Sequence, residues 1–209
     1  MMKQIYKFLH VIFIGILLFA PQTHAKEETT AKDVIETFNA TLLSVMQKAA
    51  VLGYHGRNSK LEPVLIKTFD FPFMIEYAVG RPWKSFNEDQ QKKLVNAFSR
   101  FTIATYADRF NGYSGESFRI VQTLKSPRNT RLIKTELIKQ NGKAIRLNYL
   151  LRNTGKGWQI MDIFLKGSIS ELATKRSEYN MTVKREGFEG LVSKINAKTA
   201  IIQAQSSSK

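Results

Sequence analysis

The side chains in this 209-residue chain that could do chemistry are a histidine, two carboxylates and a dense series of aromatic rings. They are His55, Asp70 and Asp162, and the rings between Phe69 and Tyr113. General acid/base work would fall to Asp70 or Asp162 if an apolar pocket raised its pKa. Neither has a second acid at a fixed spacing, and no histidine and cysteine cluster offers a metal site. His55 sits in the loop-like run Gly53-Tyr54-His55-Gly56-Arg57, where a solvated imidazole is expected, and no G-x-S-x-G accompanies it. The chain has no cysteine, which excludes a thiolate nucleophile, a disulfide framework and lipoprotein-type acylation. The chemistry left is non-covalent, and the expectation is a binding protein with no catalytic residue, no metal and no cofactor.

The rings recur at helical spacing. Leu94, Phe98, Phe101, Thr105 through its methyl, and Phe110, with Tyr106 beside them, follow one another in steps of three to five and mark one helix face. Asn87 is a good N-cap for that helix, and Glu88 and Asp89 place negative charge where the helix dipole favours it. A shorter helix opens at Pro72, carries Phe73, Met74, Tyr77 and Ala78, and stops at Gly80. Two helices thus present an aromatic wall, which the sequence leaves open as either packed core or the lining of an apolar cavity.

The remaining elements must hold this wall. Thr30 and Asp33 are close to a capping box, and Val34, Ile35, Phe38, Leu42, Val45, Met46 and Ala49 predict an amphipathic helix ending near Gly53. Asn58 to Lys67 predicts a short helix, with Pro63 tolerable only in a first turn. After Tyr113 the period falls to two, giving strands over Glu116 to Leu124, Arg131 to Ile138, Ile145 to Leu151 and Trp158 to Leu165. Asn141-Gly142 predicts a two-residue type I′ hairpin, and Asn153 to Gly157 a second turn. Ser168 or Ser170 can cap a helix that Gly187-Phe188 breaks, before a final helix with Leu191, Val192 and Ile195. The fold class is α+β: a four-stranded antiparallel meander covered by N- and C-terminal helices, a cone of the NTF2-like or cystatin-like kind with an apolar pocket at its mouth.

Lys3 and Lys7, the apolar run Phe8 to Phe19 and the small-residue site Thr23-His24-Ala25 read as a secretory signal spanning residues 1–25, cleaved after Ala25. One domain is expected over 26–203 and a polar tail over 204–209. The formal charge is +15, and losing Lys3 and Lys7 with the leader leaves +13. Such a field attracts anionic partners. Export removes nucleic acid from consideration and leaves membrane headgroups, an acidic docking protein or plain solvated charge.

Asp70, Met74, Ala78-Val79-Gly80-Arg81, Trp83, Gln90, Leu94, Phe98, Thr105-Tyr106 and Tyr113 together resemble the motif of the MlaC family of periplasmic phospholipid carriers. Tyr149-Leu150-Leu151-Arg152, Gly157-Trp158, Asp162 and Gly167 match that family's sheet. Ser168 to Ala173 with Arg176-Ser177-Glu178-Tyr179 is similar to its hopanoid-associated HpnM branch. The resemblance runs from about Ala31 to Lys198. It implies a monomeric periplasmic carrier that shuttles phospholipid or a hopanoid-type lipid between inner- and outer-membrane transport complexes, with the acyl tails in the pocket and the headgroups near solvent. The lining residues expected on this basis are Phe73, Met74, Tyr77, Phe98, Phe101, Tyr106 and Phe110 from the helices, and Leu147, Tyr149, Leu151, Ile163 and Leu165 from the sheet. Arg81 is expected to tie its loop by hydrogen bonds, with headgroup binding as the alternative, and Asp162, if buried, to pair with Arg152 or Arg146. Pro82 departs from the family motif before Trp83, where a non-proline residue is usual, and puts the geometry of that loop in question. A non-lipid adaptor, docking a membrane transport complex through its basic surface, is the alternative function.

Overall fold

The computed structural model describes residues 29–207; the predicted signal segment lies outside them. Helix α1 (Ala31–Gln47) begins at a true capping box: Thr30 accepts from the Asp33 amide, and Asp33 accepts from the Thr30 amide at 2.8 Å. Its buried stripe is Ile35, Phe38, Leu42, Val45 and Met46. The chain breaks at Lys48 and again at Gly53, whose φ of 56° is left-handed. Helix α2 (Ala49–Thr68) therefore carries Pro63 in its interior rather than in a first turn, on the exposed face, where the hydrogen bond that proline removes is lost to water.

Helix α3 (Phe71–Val79) has Pro72 in its first turn, Asp70 as its cap and Gly80 at its end with φ 75°. A 3-10 turn (Arg81–Ser85) accommodates Pro82 at its start and leads to helix α4 (Glu88–Arg109). Asn87 and Gln90 form a reciprocal capping box there, at 2.9 and 3.0 Å.

Strands β1 (Ser117–Ser126), β2 (Thr130–Ile138), β3 (Ala144–Thr154) and β4 (Gly157–Leu165) form the expected antiparallel meander. A fifth, two-residue strand, β5 (Ile169–Ser170), pairs with β4. Bulges between Ile120 and Gln122 in β1 and opposite Leu150 and Leu151 in the β3–β4 ladder bend the sheet. The β2–β3 connection is not the two-residue type I′ turn. Lys139 and Lys143 close a loop in which Gly142 alone is left-handed, at φ 79°, the three-residue form with a glycine bulge. The joint between α2 and α3 is pinned to β4, because the Asp70 amide donates to the Ile160 carbonyl at 2.9 Å and Phe69 bridges Ile160.

Helix α5 (Glu171–Ser207) is broken at Gly187, φ 70°, and folds back on itself. Lys194 donates to Thr182, and Lys198 to Glu178 across the two arms. Helical structure continues through Ser207, past the point where the polar tail was expected, and Ser206 is buried against Asp108 at 2.7 Å.

The helices cover the inner sheet face, where Ile133, Tyr149, Leu151 and Ile160 are buried. Phe38 is the hub of the core, with ring centroids 5.5 Å from Phe69, 5.7 Å from Tyr106 and 6.0 Å from Tyr149.

Candidate functional site

Asp70 and Asp162, the two acids open to acid/base chemistry, are both committed to structure. Asp70 caps α3 and pairs with Arg152 at 2.5 Å, whose guanidinium lies 4.3 Å over the Phe73 ring. Asp162 does not pair with Arg152 or Arg146. It accepts from Ser170 Oγ at 2.6 Å, the Ile163 amide at 2.7 Å and the Leu172 amide at 3.0 Å, and so ties β4 to the start of α5. Burial raises its pKa, and those three hydrogen bonds only partly oppose the rise. Asp162→Ala is expected to orphan two buried amides and to cost about 2–4 kcal/mol in urea unfolding. Asp162→Asn, which keeps one acceptor oxygen, is expected to cost less.

A cavity of about 640 Å³ opens between the inner sheet face and the helices. Its volume suits a bound small molecule, since such pockets run to roughly 300–1,000 Å³. Nine of the twelve expected residues border it: Met74, Phe98, Phe101, Tyr106 and Phe110 from the helices, and Leu147, Tyr149, Ile163 and Leu165 from the sheet. The other three do not. Phe73 and Tyr77 lie on the outer side of α3, stacked on each other and covered by Arg152 and Arg176, and Tyr77 is 42% exposed. Leu151 is fully buried farther along β3, under the helices.

The wall is chemically quiet. Thr102 and Thr105 spend their hydroxyls on the Phe98 and Phe101 carbonyls of their own helix, at 2.9 and 2.8 Å. Burial pushes the Tyr106 and Tyr149 phenols well above their ordinary pKa, so both stay neutral. Met46, Leu137, Ile145 and Leu172 extend the apolar lining. Charge gathers at the rim, where Arg109, Lys139 and Lys166 are exposed and Glu116 accepts the Ser114 amide at 2.6 Å, and on the α5 side, where Glu171 and Lys175 join the lining.

Arg81 is exposed and does not tie the loop. That role falls to Gln91, which donates to the Phe86 carbonyl at 3.1 Å, and to Arg176 and Asn180, which cap the end of α3 through the carbonyls of Tyr77 and Val79. His55 is exposed and lines a second depression of about 830 Å³, which meets the first at Met46, Asn111 and Gly112. No group of three or more metal-ligating side chains occurs among the described residues. Nor is any helix among them long and apolar enough to cross a membrane.

A single α+β cone with a largely apolar interior and most of its charged groups gathered at the mouth defines a protein built around an internal cavity. The chain belongs to the MlaC family: the family description "MlaC protein" matches residues 36–197. Among solved structures, the chain is similar to a phospholipid-binding protein from Ralstonia solanacearum, determined in complex with a phospholipid. The two share 18% identity at a TM-score of 0.73, over 84% of this chain and 99% of that one. No curated protein sequence matches the chain.

Proposed function

We propose that this protein is a periplasmic lipid carrier that binds a phospholipid with its acyl tails in the cavity, and moves it between membrane complexes without chemical change. The observation that carries this reading is the cavity itself, about 640 Å³ of aromatic and aliphatic wall with cations at its mouth. Each methylene buried there contributes about 0.8 kcal/mol, so tail burial outweighs any single polar contact. Arg109, Lys139 and Lys166 at the exposed rim suit a phosphate held near water. Family membership and the phospholipid in the Ralstonia structure support the same cargo. The commitment of Asp70 and Asp162 to structural hydrogen bonds supports binding rather than turnover.

The resemblance of the Ser168 to Tyr179 stretch to the hopanoid-associated branch would make a polycyclic lipid the cargo. The cationic rim gives such an uncharged body no partner, and phospholipid is the better fit. A transfer assay tests the function: donor vesicles carrying labelled phospholipid are mixed with acceptor vesicles and the chain from Lys26 onward. Transfer in proportion to protein concentration is expected, and a rate equal to the protein-free control would reject the carrier role.

A further inference from the structure

The cavity wall contains a cation that the apolar reading leaves unused. Lys175 stands one turn beyond Glu171 on α5, and both line the cavity between α4 and α5. Its side chain is only 19% exposed, and its ammonium lies 4.9 Å from the Phe101 ring centre and 5.9 Å from that of Tyr179. The nearest carboxylate, Glu178, is 3.7 Å away, too far for a hydrogen bond, and Glu178 is already engaged by Lys198. Burial lowers the Lys175 pKa, opposed by the charges of Glu178 and Glu171 and assisted by those of Lys198 and Arg109. An ammonium has three donors, and a mostly buried one with no acceptor at hydrogen-bond distance costs free energy until something supplies one.

The cavity lining carries four cations, Arg109, Lys139, Lys166 and Lys175, against two carboxylates, Glu116 and Glu171. Glu116 is spent on the Ser114 amide. A cargo headgroup with its own ammonium would find one free acid there and several like charges. A headgroup of net negative charge meets a lining whose cations outnumber its carboxylates, and so a net attraction.

We propose that Lys175 is a ligand-binding residue that receives an acidic oxygen of the cargo and makes the cavity select lipids of net negative headgroup over zwitterionic ones. This rests on the reading that the cavity holds lipid. The selection works by charge number rather than tail chemistry, so it operates between lipids with identical acyl chains.

The test uses vesicles of equimolar phosphatidylglycerol and phosphatidylethanolamine with identical acyl chains, so both lipids share one surface and one surface potential. The chain from Lys26 is incubated with them and reisolated, and its bound lipids are quantified by mass spectrometry. The wild type is expected to enrich phosphatidylglycerol about fivefold, the discrimination that one modest charge contact provides. Lys175→Gln is expected to bring the ratio to within about twofold of unity with total loading retained. Lys184→Gln removes one exposed positive charge away from the cavity and is expected to leave the ratio unchanged. A wild-type ratio near one, or an unchanged ratio in Lys175→Gln, overturns the proposal. If Lys175→Gln loses all lipid, Lys175→Arg decides: a retained fivefold ratio supports the charge contact, and a lost one overturns it. A wild-type chain that takes up neither lipid rejects the carrier reading itself, and the selectivity with it.

Discussion

Leu147→Trp is expected to weaken lipid binding by more than tenfold while leaving the protein folded. Leu147 stands on the inner face of β3, lines the cavity and pairs across the ladder with Leu165, another lining residue. An indole there fills space that a cargo tail would occupy, and strands accept tryptophan readily. Excluding even two methylenes, at about 0.8 kcal/mol each, weakens binding by roughly fifteenfold. Uptake from vesicles by the variant, read beside its thermal midpoint, checks this. An unchanged affinity in a folded variant would mean that the tails lie elsewhere.

Phe38→Ala is expected to destabilise the fold by about 3–5 kcal/mol. Phe38 is fully buried and its ring meets Phe69, Tyr106 and Tyr149, which belong to the α2–α3 joint, α4 and β3. Truncation leaves a void where three elements converge, and their relative positions limit how far the walls can relax into it. Domains of this size have only about 5–15 kcal/mol to lose, so the variant should unfold at markedly lower urea. Phe73→Ala, on the outer side of α3 and packed against Arg152, is expected to cost less. Equal losses for the two would contradict the placement of the core.

Local signals in the sequence carried most of the fold. Two helix starts were written in cap residues at Thr30 and Asn87, and the sheet was written in period-two alternation with turns between. What escaped needed tertiary information. Asn141-Gly142 is compatible with two hairpin loops, and only the pairing register made Gly142 the single left-handed residue. Asp162 was expected to seek an arginine because its neighbours in sequence are apolar. Beside the adjacent Ile163 amide, its partners came from β5 and the first turn of α5, which the fold brings within 3.0 Å.

The same limit applies to the cavity. Strand parity assigns Leu147, Tyr149 and Leu151 to one face but does not say how far along that face the helices reach, and Leu151 falls under them. Helix α3 is apolar on more than one side, so its pattern could not choose between Met74, which reaches the cavity, and Phe73 and Tyr77, which pack outward beneath arginines. Ile145 shared the inward alternation with Leu147 and was readable on that ground. Lys175 was not, because a lysine on a helix gives no sequence signal that it will line an apolar wall.

A lipid carrier of this design holds lipid in its cavity. Organic extraction and mass spectrometry of the natively purified chain from Lys26 test it most directly. One lipid per protein, released on denaturation and depleted in Leu147→Trp, is the predicted result. A protein that carries no lipid and takes none from vesicles would contradict it, and would leave a packed adaptor acting through its basic surface as the better account.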